Sequence, residues 1–271
     1  TSNYVSEGAQ RRTRRGNVNE QARRNRFYYK LFDRLDAFGC PICRIVIEDS
    51  RSYLDSVLYE RITDVPTRLS LRESFGLCNL HTWQLRDLPE TSAADLGFAI
   101  IAKDLLSRFQ HMADKLAANQ RRSLTKWLVR VRSRLRAALK RTRCPACIHA
   151  ARSESVHLQQ LLNLLDDEDF ANKFQESSGI CLPHFLQAEE TQLRHVQFEL
   201  LRALQIRKAH HLHETLEQFL EKHDHHVQDD ITPAEARSWM DAIDFLSGKR
   251  ALFGSELHHP SPKQLSKLFG R

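Results

Sequence analysis

The chain has 271 residues, of which 41% are hydrophobic and 28% charged, with a net charge of +7. That is enough apolar material for one large core or two smaller ones. Nine glycines and eight prolines are too few for a turn-rich all-β fold, and no run approaches the roughly 20 apolar residues of a membrane span.

Residues 1–30 carry a net charge of +6 and residues 115–153 a net charge of +12, which leaves −11 for the remainder. An acidic body with two basic segments is expected, not a uniformly basic protein. Residues 1–26 hold seven arginines, with Val5 and Val18 the only large apolar residues. Such a segment buries too little apolar surface to offset its ordering entropy, so it reads as a disordered basic arm. The start of the chain shows no charged-then-apolar leader pattern.

From Phe27 the apolar spacing is helical. Ile47, Leu54 and Leu58, flanked by Val46, Tyr53 and Val57, predict a helix that starts at Cys40-Pro41-Ile42-Cys43 and ends before Pro66. Gly76-Leu77-Cys78-Asn79-Leu80-His81 leads into a short helix with Trp83, Leu85 and Leu88, stopped by Pro89. Thr91 or Ser92 then caps a longer helix, with Phe98, Ile101, Leu105, Phe109, Met112 and Leu116 on its apolar side.

Residues 121–141 predict a basic amphipathic helix with Leu124, Leu128, Val131, Leu135 and Leu139 as its stripe. Arg130, Arg134, Lys140 and six further cations cover the rest. This helix either docks by its leucines, with a solvated or salt-bridged basic face, or offers that face to a polyanion or an acidic protein.

The same order then recurs. Cys144-Pro145-Ala146-Cys147 opens a helix with Leu158, Leu162 and Leu165, which the acidic run 166–169 is expected to break. Gly179-Ile180-Cys181-Leu182-Pro183-His184 follows, and then a long helix with Leu193, Val196, Leu200, Leu204, Leu212, Leu216 and Phe219. The copies are offset by 104 residues, from Cys40 to Cys144. Thr232-Pro233-Ala234-Glu235 predicts a capped helix with Trp239, Met240, Ile243 and Leu246 buried and Gly248 at its end. A last short helix is expected around Leu265 and Leu268.

All six cysteines of the chain fall inside these repeated motifs. Cys40, Cys43, Cys78 and His81 make one Cys3His set, and Cys144, Cys147, Cys181 and His184 make the other. In CPxC the tight turn brings two sulfurs to one ion, and ligands at i and i+3 share one helix face. Gly76 and Gly179 stand where an irregular loop must turn into a helix. Each ion is expected to tie two helix starts together across the 34–35 residues between CPxC and CxxH of the same copy. Two zinc ions in closed structural sites are expected, with an iron–sulfur cluster as the alternative. A redox dithiol would need a βαβ context and leaves the third cysteine and the histidine unexplained.

Other candidates are weaker. His210, His211, His213, His223, His225 and His226 form a histidine-rich segment in which His210, His213, Glu214 and Glu217 offer a third metal group. A polar helix end explains them as well. Glu73, Ser74, Glu176 and Ser177 recur beside the ligand loops and read as capping or supporting groups. No GxSxG, Walker A or dinucleotide glycine motif is present, which argues against an enzyme.

The doubled CPxC…GxCxxH pattern, with Gly39 before Cys40, Phe75 before Gly76 and Ser178 before Gly179, resembles an uncharacterised bacterial domain-of-unknown-function family. Phe245-Leu246-Ser247-Gly248 and Leu252-Phe253-Gly254 are similar to that family's closing segment, so the resemblance spans about residues 30 to 254. It implies metal binding and a bacterial cytosolic protein, and it supplies no activity.

The expected fold is all-α and internally duplicated, with two Cys3His metal sites. The expected organisation is a disordered basic arm (1–26), a first metal-binding helical module (27–118) and a basic linking helix (119–141). A second module (142–226) and C-terminal helices (231–271) complete it. The expected function is a cytoplasmic, non-enzymatic, zinc-binding module that binds or regulates. The alternatives are a nucleic-acid-associated protein using the arm and the basic helix, and an iron–sulfur or thiol redox sensor.

Overall fold

The computed structural model describes residues 24–88, 92–120, 142–191, 195–223, 229–250 and 252. Among them there are ten helices and no strand. In chain order they are α1 (Arg26–Phe32), α2 (Pro41–Tyr59), α3 (Val65–Glu73), α4 (Asn79–Arg86) and α5 (Ser92–Gln120). Then come α6 (Pro145–Leu164), α7 (Glu168–Glu176), α8 (Leu182–Thr191), α9 (His195–Glu221) and α10 (Pro233–Ser247). The run long, short, short, long from α2 to α5 recurs from α6 to α9, as the repeated motifs imply. The basic helix at 121–141, residues 1–23 of the arm, His225, His226 and the last helix at 261–268 lie outside the described residues.

Two helices escaped the sequence reading. Asp64 caps α3 by accepting from the amide of Thr67, with Pro66 in the first turn, so the proline starts a helix after the α2 stop it was taken to mark. Asp167 caps α7 in the same way, and Glu168 and Asp169 fill its first turn. The acidic run that ends α6 therefore nucleates α7, because carboxylates are favoured at a helix N-terminus. The arm also ends earlier than residue 26: Arg24 pairs with Asp169 and Asp167, and Asn25 caps α1.

By packing, the described residues fall into two compact units. One comprises those of Thr1–Ile45 and Glu154–Arg250, the other those of Val46–Ser153 and Ala251–Arg271. The units are thus not consecutive along the chain.

In the first unit, Leu31, Leu158, Leu161, Phe170, Phe174 and Leu201 are fully buried. Tyr28 stacks on Phe32, and its ring centroid lies 6.0 Å from that of Phe170. α9 and α8 both pack against α10. The capping box at α10 forms as its sequence predicts: the Thr232 hydroxyl accepts from the Glu235 amide, and the Glu235 carboxylate accepts from the Thr232 amide. Its buried face differs from the expectation. Trp239, Met240, Ile243 and Leu246 are each about half exposed, whereas Glu235 and Ser238 are buried. Glu235 is drawn inward because Lys222 of the unit grips both its carboxylate oxygens at 2.9 Å.

In the second unit, Leu54, Leu58 and Leu85 form a cluster with Cys144, Ala146 and Cys147. Asp49 accepts from Ser153, and Tyr53 stacks on His149 at 4.6 Å. Four residues forward on α2 match four residues back on α6, so the two helices run antiparallel there. The first turn of α6 therefore lies beside the last turns of α2. The apolar stripe expected on α5 is only partly covered, since Phe98 and Phe109 are exposed. Arg72 of α3 makes a two-pronged bond to Asp104 of α5.

Candidate metal centres

Four cysteines open helices in the same manner. The carbonyls of Cys40, Cys78, Cys144 and Cys181 accept the amides of Arg44, Thr82, Ile148 and Phe185, the first bonds of α2, α4, α6 and α8. Pro41 and Pro145 occupy the first helical position, where a missing N–H costs nothing. At the entries to α4 and α8, Gly76 and Gly179 have φ of +90° and +73°, a region where a β-carbon is strained. The glycines thus do what their positions suggest. Ser74 and Ser177 are capping groups, as expected: each hydroxyl donates to a carbonyl of the helix it ends, and Ser177 Oγ accepts from the Gly179 amide.

All eight expected ligands gather into two groups of four, but not in the expected sets. Cys40 and Cys43 meet Cys181 and His184, whereas Cys78 and His81 meet Cys144 and Cys147. Each group takes CPxC from one copy of the repeat and CxxH from the other. Helix geometry supplies the reason. The 19 residues of α2 extend about 28 Å from a first turn that holds Cys43, and the nine residues of α3 span only about 13 Å. Cys78 and His81 are therefore delivered beside the end of α2, where Leu85 packs on Leu54 and Leu58. The first turn of α6, with Cys144 and Cys147, is already there. The first group lies wholly in the first compact unit and the second group wholly in the second.

The spacing fits one ion per group. In the first, His184 Nδ1 lies 3.4, 3.5 and 3.1 Å from the sulfurs of Cys40, Cys43 and Cys181, and Cys43 Sγ is 3.6 Å from Cys181 Sγ. In the second, His81 Nδ1 lies 3.1, 3.8 and 3.3 Å from Cys78, Cys144 and Cys147, and Cys78 Sγ is 3.6 Å from Cys147 Sγ. A tetrahedron with metal–sulfur bonds of about 2.3 Å and metal–nitrogen bonds of about 2.0 Å has edges of about 3.5–3.8 Å. The sulfurs stand too far apart for disulfides, and all six cysteines are free. Seven of the eight ligands are buried.

Proton sharing inside each group has the pattern of a cation site. Burial works against a charged His184, but hydrogen bonds with Cys40, Cys43 and Glu154 outweigh it and raise its pKa to about 12. Burial likewise opposes a charged His81, and Cys144 and Cys78 raise it to about 9. Hydrogen bonds from Cys147 and Cys78 hold the Cys144 thiol far below its usual range, while the same network pushes Cys147 up. Each group thus stabilises negative charge on sulfur and a compensating proton nearby. A metal ion replaces that proton with its own charge.

The two groups differ behind the histidine. A carboxylate oxygen of Glu154 lies 2.9 Å from His184 Nε2, with the imidazole fully buried. Nδ1 therefore faces the sulfurs while Nε2 is held by an acceptor, the arrangement that fixes the ring of a metal-ligating histidine. The residue 104 positions earlier is Ser50, whose hydroxyl donates to Val46 O instead. Nothing in the sequence marked Glu154, because its place beside His184 depends on how α6 and α8 pack.

The histidine-rich segment forms no further group among the described residues. His213 lies 3.4 Å from Glu217, and both are well exposed. Among the described residues no helix is long and apolar enough to cross a membrane.

The fold and the two sites define a class: a protein helical throughout its described residues, with two Cys/His groups that could each hold a metal ion and that each combine one CPxC with one CxxH. The chain belongs to a family of unknown function (DUF6062), whose pattern matches residues 31–251. No curated protein and no solved structure matches it.

Proposed function

We propose that the protein is a zinc-dependent, non-enzymatic module that binds or regulates, with two structural zinc ions as clasps between the two copies of its repeat. The observation that carries this reading is the closed donor set. Three thiolates and one imidazole complete a tetrahedron and leave no position for a substrate or an activated water. Three sulfurs with one nitrogen, all short-ranged and mostly buried, suit zinc well. Reduced, ligand-ready cysteines suit the cytoplasm. Each clasp would contribute on the order of 10–16 kcal/mol of apparent binding free energy, enough to decide whether the helices assemble.

Elemental analysis of protein purified without oxygen tests the reading. Two zinc ions per chain, and loss of helical signal on chelation, are the expected results. Iron with acid-labile sulfide, or a metal-free protein with an unchanged melting curve, would overturn it.

A further inference from the structure

A cavity of about 760 Å³ opens in the first compact unit, between α9, α10, the turn after α7 and the residues that precede α2. That volume is in the range of small-molecule sites, roughly 300–1,000 Å³. Its apolar lining comes from Phe38, Ile180, Leu204, Leu212 and Phe245.

The polar lining is unevenly balanced. Asp241 is engaged by Arg237 at 3.0 Å, and Asp244 is engaged by Lys249. Among the described residues Lys208 donates to the carbonyls of Gln175 and Ser177, which hold its ammonium without neutralising it. Arg207 faces the same cavity, exposed and beside Lys208. Among the described lining residues the one carboxylate without an ion pair is the exposed Glu176. The Arg237 guanidinium lies 3.5 Å from the centroid of the Phe38 ring, and this holds an exposed aromatic face among the lining residues.

We propose that this cavity binds a small organic anion with an apolar body, its carboxylate at Arg207 and Lys208 and its chain along Ile180, Leu204 and Leu212. Two cations with no ion pair to a carboxylate among the described residues gain most from an anion in a partly desolvated site. An apolar body would cover what Phe38, Leu212 and Phe245 still expose, against a wall that the buried Ile180 and Leu204 complete. Burial and the neighbouring Arg207 lower the Lys208 pKa to about 8, in keeping with an ammonium held by neutral carbonyls beside a second cation.

The cavity wall includes Cys40 and Cys181, so the proposal rests on the metal reading for the rigidity of that wall. The test is calorimetric titration of the full chain, at measured zinc content, with octanoate, 1-octanol and octylamine. Octanoate should bind saturably at one site per chain, and the alcohol and amine about tenfold more weakly or not at all. Arg207→Gln should weaken octanoate about tenfold while leaving fold and zinc content unchanged. Leu212→Glu, which sets a carboxylate among the apolar walls, should abolish binding. Zinc-loaded protein that gives no saturable heat with octanoate would overturn the cavity proposal alone. So would octanol binding as well as octanoate, or an Arg207→Gln protein that binds like wild type. Octanoate binding by folded, metal-free protein would instead overturn the zinc reading.

Discussion

Gly179→Ala is the sharpest single perturbation of the first metal centre that leaves every ligand in place. Gly179 has φ +73°, where an alanine costs about 1–2 kcal/mol. The added β-carbon would stand 2.6 Å from Lys208 Cδ and 2.8 Å from Gln205 Oε1. The lysine stem can yield, but Gln205 is committed: its amide accepts from Ile180 N at 3.2 Å and donates to Ile180 O. Displacing a buried amide from such bonds costs about 1–3 kcal/mol. The sum is roughly 2–5 kcal/mol, applied two residues from Cys181. Gly76→Ala is the internal control. Its φ of +90° carries the same backbone strain, but its β-carbon meets only a Leu105 methyl at 3.0 Å, so about 1–2 kcal/mol is expected. Urea denaturation of the two zinc-loaded variants gives the comparison. A Gly179→Ala protein no less stable than Gly76→Ala would refute the role assigned to the Gln205 clamp.

Two further outcomes follow from the same geometry. Glu154→Gln should weaken metal retention at the Cys40 centre by about 10–100-fold, and leave the Cys78 centre unchanged, as read by competition with a chromophoric chelator. Uniform weakening of both centres would count against the contact with His184. Lys208 gives a pH signature. Its folded pKa of about 8 is below the unfolded value near 10.4, so between those limits the unfolded chain binds more protons. Stability should therefore rise with pH from about 8 to 10, and Lys208→Met should flatten that rise. A wild-type stability that falls across this window would contradict the half-buried ammonium held only by neutral groups among the described residues.

The sequence made much of this legible because the ligands are rare residue types at fixed spacing. Six cysteines in two closely matched patterns point to the candidate donor atoms, and the glycine before each CxxH points to the turn that presents them. Helix periodicity and the Thr232 capping box located most of the long elements for the same local reason. The pairing of the ligands was not local. CPxC and CxxH are equally compatible with partners in their own copy or the other, and only the lengths of α2 and α3 and the antiparallel docking of α6 decide between them. α3 and α7 were missed because Pro66 and the acidic run read as stops, yet each also satisfies the requirements of a helix start. The α10 face was misjudged because its apolar residues dominate the pattern, while the ion pair of Glu235 with Lys222 turns the polar side inward.

The central claim is that each centre takes two ligands from each copy. Zinc content of two double variants decides it. Cys43→Ser with Cys181→Ser removes two ligands of the same centre, so about one zinc ion per chain should remain. Cys43→Ser with Cys78→Ser removes one ligand from each centre, so tight zinc should be lost altogether. The reverse result, none in the first variant and one in the second, would mean that each copy closes its own site and would contradict the account.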